Sequence, residues 1–287
     1  MDGKKKLTVF TPTYNRAHLL KRVYDSLVWQ KSDDYIWLII DDGSTDNTKE
    51  VVDKFVSEDK IEIVYKYYDN GGKMRAHNRA AELADTELFL CLDSDDWLNT
   101  DAVNTLIELW DSKKNDSLAG IISHKGASAT SLLSGVDFPR GIRTSTLYNL
   151  YLKGFKGETT ILFRTDVIKK YPFPEIDGEK YVPEDYIYDK IDAEYEYIVL
   201  SKITTVCELM EKGYTDSVSD LKERNKEAFY LYYEQRARIT PISLLKMKYA
   251  GFYVKFAKMT DKNIFDTKLP KIYVFIGIVA SKFIKNL

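Results

Sequence analysis

The sequence predicts an α/β fold, a mainly parallel sheet flanked by helices, followed by a helical C-terminal extension. Three observations carry this. Apolar runs of strand length alternate with helix-period segments through about the first 110 residues, the pattern of strand–helix–strand units. Two of those runs, Tyr35–Ile40 and Leu88–Leu92, are apolar almost throughout, as in strands covered on both faces. Beyond residue 240 the pattern changes to lysines interleaved with aromatic and aliphatic residues.

Taken in order, Leu7–Tyr14 reads as a first strand that breaks at Pro12. Asn15 is placed to cap a helix whose Leu19, Leu20, Val23 and Leu27 follow a helical period. Tyr35–Ile40 is the second strand, and Asp46 is placed to cap the helix carrying Val51, Val52, Phe55 and Val56. Ile61–Tyr65 alternates as a third strand, and the Asp69–Gly72 turn opens a helix through Lys73, Arg75, Asn78 and Arg79. Leu88–Leu92 is the fourth strand. Further on, Gly120–Ser123 and Gly157–Phe163 read as strands, the Gly- and Ser-rich segment His124–Arg143 as a mobile loop, and Asp185–Ile191 as a helix.

With 287 residues, 44% of them hydrophobic and 30% charged, the chain can bury a large core, as one extended α/β domain or two small ones. Residues 1–215 form the expected α/β domain, in halves 7–112 and 113–215, and 216–287 the extension. A net charge of −2 gives no argument for nucleic-acid binding. Cys91, inside an apolar run, reads as a buried thiol, and Cys207 has no CxxC partner, which fits a reduced, cytoplasmic setting. His18, His77 and His124 lack metal-ligand spacing. The basic N-terminus has no apolar core behind it, and no window approaches the roughly 18 apolar residues of a membrane span.

In such sheets ligands bind at the carboxyl ends of the strands. Here those ends supply Pro12–Arg16, Asp41–Asp46, Gly71-Gly72-Lys73 and Asp93–Asp96. In an extended chain Asp93 and Asp95 share a face and Asp96 points away. Two acids so placed repel unless a cation lies between them, and a hard ion such as Mg2+ or Mn2+ shared with phosphate oxygens suits them. An acidic turn after a strand is the plainer alternative. GxGxxG and GxxxxGK[ST] are both absent. Strand-end acids favour a ligand with hydroxyls, base N–H groups and a metal-bridged diphosphate, which describes a nucleotide-sugar.

The segments Thr11–Arg16, Ile40–Asp46, Asn70–Lys73 and Leu92–Asp96, with Tyr171–Glu175 and Gly178–Asp185 after them, resemble in order the motifs of the family 2 inverting glycosyltransferases of GT-A fold, of the bacterial surface-polysaccharide type. The resemblance spans about residues 7–210. It implies a Rossmann-like GT-A domain and a nucleotide-sugar donor, UDP-linked, with transfer to a glycan or lipid-linked acceptor. Pro12, Tyr14 and Arg16 would line the base pocket. Asp42 would accept from the uracil N3–H with Asp41 supporting it, and Lys73 and Asn78 would reach base or ribose. Asp93, Ser94 and Asp95 form the DxD-type motif, with Asp93, Asp95 and Asp96 as ligands for Mn2+ or Mg2+. Asp185, with Glu184 beside it, would be the general base, and Glu158 would lie near the acceptor.

The resemblance leaves open a nucleotidyltransferase, which normally carries a basic Gly-rich loop that Thr11–Arg16 is not, and a silent nucleotide-sugar binding protein. From Pro241 to Leu287 there are nine lysines and two aspartates, an excess of seven positive charges, around the short apolar run Ile272–Ala280. Peripheral contact with the inner face of an anionic membrane and simple packing on the core both fit this segment.

Overall fold

The computed structural model describes residues 4–207 and 218–284. Its first elements are β1 (Leu7–Thr13), α1 (Ala17–Val28), β2 (Tyr35–Asp41), α2 (Thr48–Ser57), β3 (Ile63–Tyr67), α3 (Lys73–Leu83) and β4 (Leu88–Cys91). Next come β5 (Asp96–Leu98), α4 (Ala102–Lys113), β6 (Leu118–Gly126), β7 (Thr144–Ser145), α5 (Leu147–Leu152), β8 (Thr159–Arg164), α6 (Thr165–Lys170), α7 (Asp185–Asp192) and β9 (Glu196–Cys207). The last are α8 (Val218–Arg224), α9 (Lys226–Ile239), α10 (Leu244–Met259) and α11 (Lys271–Ser281).

Among the described residues the strands form one nine-stranded sheet in the order β3-β2-β1-β4-β8-β6-β9-β5, with β7 also on β9. The first four strands are parallel, as expected. Beyond them the sheet is mixed: β8 runs against both β4 and β6, while β6 and β9 are parallel. An apolar run reports burial and not direction, so this half escaped the reading of a mainly parallel sheet. One face of the sheet packs on α1, α2 and α4 through Leu20, Val23, Leu27, Val52, Leu106 and Trp110. There Tyr24 stacks on Phe55 with centroids 4.2 Å apart, beside the buried Trp37.

Several local expectations are corrected. β1 runs through Pro12, which pairs with Ile40. The Thr13 carbonyl faces β2, so Pro12 faces the β4 side, where the ladder has already ended at Phe10 and Cys91. Its missing N–H therefore costs nothing. Asn15 does not cap α1. It adopts φ 53°, and its Oδ1 accepts from the N–H groups of Thr45 and Asp46, while Asp46 Oδ2 accepts from Ala17 N at the start of α1. Asp46 also reaches Thr48 N at the start of α2, one residue before the formal cap position. β3 begins two residues later than expected, Val56 is exposed, and Cys91 is only partly buried. β6 extends through His124, Lys125 and Gly126, and the segment after it is tied down: His124 Nε2 and Ser201 Oγ both meet Asp137 Oδ1, and Phe138 stacks on His124 at 3.9 Å.

The chain divides into two units, one of residues 4–172 and 187–207, the other of 173–186 and 218–284. The expected boundary at 215/216 lies outside the described residues. Segment 173–186 groups with the C-terminal helices and not with the acceptor half of the α/β domain, being bonded to the start of α9. The Glu179 carboxylate accepts from Glu227 N and Ala228 N at the first turn of α9, and Asn225 Oδ1 accepts from Lys180 N and Tyr181 N. The core of this unit is aromatic, with Tyr233 stacked on Phe252 at 4.6 Å and Phe229 on Phe256 at 5.7 Å. Among the described residues no helix is long and apolar enough to cross a membrane.

Candidate active site

In the first unit, the carboxyl ends of β1, β2 and β4 and the start of α3 bring the expected donor-site residues together. β2 ends in Asp41, 1% exposed, followed by Asp42, 4% exposed. Asp41 builds the loop: its Oδ1 accepts from Ser44 N at 2.8 Å and its Oδ2 from the Tyr65 hydroxyl at 2.6 Å. Burial first, and then this bond, raise the Tyr65 phenol well above its ordinary range, so it stays a donor. Asp42 holds the next loop, accepting from Gly71 N at 2.8 Å, Gly72 N at 2.7 Å and the Asn70 amide at 3.1 Å. Gly72 carries φ 93°, a left-handed value that glycine adopts freely, and this aims its N–H at Asp42 while opening α3. Three of the roughly four acceptor positions of the Asp42 carboxylate are thus filled.

After β4 the chain does not stay extended. Asp96 N bonds back to Asp93 O at 3.0 Å, and residues 94–95 form a turn. The expectation that Asp93 and Asp95 share a face while Asp96 points away is corrected accordingly. Asp93 Oδ1 meets Lys73 Nζ at 2.7 Å, and its Oδ2 is 4.0 Å from Lys125 Nζ. Asp95 Oδ2 meets Arg16 Nη1 at 2.9 Å, and the same guanidinium donates to Ser94 Oγ at 3.3 Å. Asp96 Oδ2 meets Lys125 Nζ at 2.8 Å. Burial pushes the Asp93 carboxyl up, but Lys73, then Lys125 and Arg16, overcome it and hold the group far below the usual carboxylate range. At Asp96 burial wins, with Asp93 adding to it against Lys125, and its pKa is raised. Burial opposes the charge of Lys125, yet Asp96 and Asp93 keep it firmly protonated.

Of the other expected residues, Pro12 lies on β1 at this edge, Tyr14 is 48% exposed beside it, and Asn78 is buried on α3. Glu158 is exposed, with its carbonyl accepting from Lys125 N at 3.1 Å. In the second unit, Asp185 begins α7, and Arg236 Nη2 of α9 meets its Oδ2 at 2.8 Å. Burial raises the Asp185 pKa and the neighbouring Glu184 adds to this, against Arg236 and a hydrogen bond with Tyr232. Sequence reasoning missed Lys125, having ended its strand at Ser123, and missed Arg236. The second had a signal: Arg236 lies seven residues after Phe229 and four after Tyr232, on the apolar stripe of its helix.

Among the described residues no group of three or more His, Cys, Asp or Glu side chains is placed to hold a metal ion. Asp93 and Asp95 do fit the mode in which Mg2+ or Mn2+ takes one or two carboxylates and completes its shell with phosphate and water. Asp96 does not belong to that pair. It is 5% exposed and its Oδ2 meets Lys125, so it anchors the turn from behind.

The family model described as glycosyl transferase family 2 matches residues 8–171. The chain is 26% identical over 277 residues to the GalNAc(5)-diNAcBac-PP-undecaprenol beta-1,3-glucosyltransferase of Campylobacter jejuni, covering 93% of this chain and 84% of that one. It is 37% identical over 103 residues to the chondroitin synthase of Pasteurella multocida, 36% of this chain but 10% of that protein. Among solved structures, Staphylococcus aureus TarS 1–349 in complex with UDP-GlcNAc aligns with a TM-score of 0.63 at 20% identity, over 96% of this chain and 79% of that one. The mannosyltransferase PcManGT of Pyrobaculum calidifontis, in complex with GDP-Man and Mn2+, aligns at 0.58 and 18% identity, over 99% and 83%. These likenesses establish the glycosyltransferase GT-A fold, a mixed sheet flanked by helices. With more than half its length matched by the family model, the chain belongs to glycosyl transferase family 2.

Proposed function

We propose that the protein transfers a sugar, with inversion, from a UDP-linked donor to a glycan or lipid-linked acceptor in surface-polysaccharide synthesis. The observation that carries this is the gathering of Asp42, Lys73, Asp93, Asp95 and Arg16 from four separate loops at the strand ends of the first unit. The names of the C. jejuni glucosyltransferase and of the TarS complex with UDP-GlcNAc support the donor and acceptor classes.

Asp42, with an acceptor position left and little solvent around it, is suited to take a base N–H, and Asp41 holds it in place through the loop. Tyr14, exposed beside Pro12, offers a stacking face. Asp95 and Asp93 would hold Mg2+ or Mn2+, which supplies charge neutralisation to the departing diphosphate. Lys73 keeps the Asp93 carboxylate ionised, and Arg16 orients that of Asp95, before the donor arrives. Asp185 takes the proton of the acceptor hydroxyl as that oxygen bonds to the anomeric carbon. Its raised pKa brings it nearer the working pH that general-base catalysis favours. Arg236 fixes the carboxylate through Oδ2.

Isothermal titration of UDP, GDP and dTDP, each with Mn2+ and with EDTA, tests the reading. Metal-dependent binding of UDP that is lost in Asp95→Ala is expected. If none of the three binds, the strand-end acids are not a donor site and the proposal falls.

A further inference from the structure

We propose that α11 is an interfacial helix whose outward face docks on an anionic lipid surface. Two opposite sides of this helix are apolar. One is spent on α10: Val274 is fully buried, and a Cβ on Gly277 would lie 2.5 Å from the Ala250 carbonyl oxygen, so the two helices touch backbone to backbone there. On the other side Ile272, Phe275 and Val279 follow one another at spacings of three and four residues, which places them on one stripe, and Phe283 follows in the turn just past the helix end. They are 62%, 55%, 58% and 77% exposed. Phe265 extends the patch, its ring 5.7 Å from that of Phe275.

Charge identifies the occupant. Residues 272–281 carry no charged side chain, Lys271 and Lys282 bracket them, and from Lys268 to Leu287 the sequence has lysines and no carboxylate. At ~100° per residue Lys271 and Lys282 fall within about 40° of Phe275 on the helical wheel. Lys268, Lys271 and Lys282 are exposed, and among the described residues none of them makes an ion pair with a carboxylate. A helix of 11 residues rises about 16 Å against a hydrocarbon core of about 30 Å, so it can lie in the interface but not span it. An apolar stripe edged by unpaired lysines fits an acyl boundary beneath anionic headgroups better than a second copy of the same basic surface, which would repel it. The inference rests on the proposed function only in that a lipid-linked acceptor gives the enzyme a reason to be there.

Co-sedimentation of the full chain with phosphatidylcholine vesicles, with and without a quarter phosphatidylglycerol, tests it, with UDP titration on the same preparation. Expected is pelleting with the anionic vesicles that falls at least tenfold in Phe275→Ser/Val279→Ser, and about fivefold for each of Lys271→Gln and Lys282→Gln, while UDP affinity is unchanged. All four side chains are exposed, so the variants keep the fold, as their melting curves will report. Absence of anionic pelleting, or equal pelleting of the Phe275/Val279 variant, overturns the inference. So does a dimer in light scattering that those substitutions dissolve. Loss of UDP binding with pelleting intact defeats the donor reading and leaves this one standing.

Discussion

Replacing Lys125 by methionine removes the cation between Asp93 and Asp96 while keeping much of the side-chain volume. Breaking a buried ion pair by deleting one partner costs about 3–5 kcal/mol, because the other charge is left uncompensated. Asp96 is 7% exposed at its side chain, but Lys125 is 21% and Asp93 28% exposed, so partial solvation places the cost at the lower end, about 3 kcal/mol. For a cooperative unit of this size about 2–4 °C is lost per kcal/mol, so the melting temperature falls by about 6–12 °C. Urea titration gives the free energy directly. The pH dependence has a definite sign. Asp96 already has a raised pKa, and without Lys125 it rises further. Such a group contributes stability that is present below the unfolded value, about 3.9, and is lost as pH rises through the folded value. The deficit of the variant therefore grows as pH rises above the unfolded value. Lys125→Met/Asp96→Asn, which removes both charges, recovers most of it. A deficit under about 1 kcal/mol, one flat with pH, or a double variant no better than the single would refute the reasoning.

Asp185→Asn keeps the shape of the side chain and removes the base; transfer to the acceptor falls by about 10²–10⁴ while UDP affinity stays within twofold, and near-normal transfer would remove Asp185 from the mechanism. Asp42→Ala orphans the N–H groups of Gly71 and Gly72, costs about 1–3 kcal/mol in urea titration and lowers UDP affinity at least tenfold. Asp93, its pKa lowered by Lys73, contributes stability that is present above about pH 4 and lost as pH falls toward its folded value. The urea midpoint accordingly drops on acidification below pH 4, less so in Asp93→Asn. Gly120→Ala puts a Cβ 1.8 Å from the Leu162 carbonyl oxygen at a φ of 154°, where neither backbone can yield; a loss of more than about 3 kcal/mol is expected in thermal melts.

The parallel half of the sheet was legible because its strands, two of them near-continuous apolar runs, alternate with helices of clear period, and Leu20, Val23 and Leu27 are buried as that period requires. The mixed half was not, since strand direction leaves no mark on an apolar run and β6 continues into His124 and Lys125, whose polarity reads as loop. Those two residues are tolerated inside a strand because each finds its acid, Asp137 for His124 and Asp96 for Lys125, at sequence separations no local pattern reports. The same limit explains Asn15 and Asp46. Both have cap chemistry, but Asn15 is turned to the Ser44–Asp46 loop and Asp46 serves the starts of both α1 and α2. Asp41, Asp42, Lys73, Asp93 and Asp95 were each legible as residues of the strand-end loops; which of them pair was not.

That pairing changes the electrostatic argument for the site. From the sequence, a cluster of acids at the sheet edge calls for a cation, and a metal is the natural candidate. The structure supplies cations of its own: Lys73 to Asp93, Arg16 to Asp95, Lys125 to Asp96. Three carboxylates are matched by three fixed positive charges, so the turn is close to neutral. A bare triple-acid turn would repel a diphosphate, and the desolvation of a donor against it would have to be offset entirely by the metal. A neutral turn carries no such repulsion, and a divalent ion held there, as proposed, would add a positive excess opposite in sign to the charge of the proposed diphosphate leaving group. The lysine and arginine partners thus belong to the same electrostatic device as the acids, and the sequence conceals this because the three partners come from three different elements.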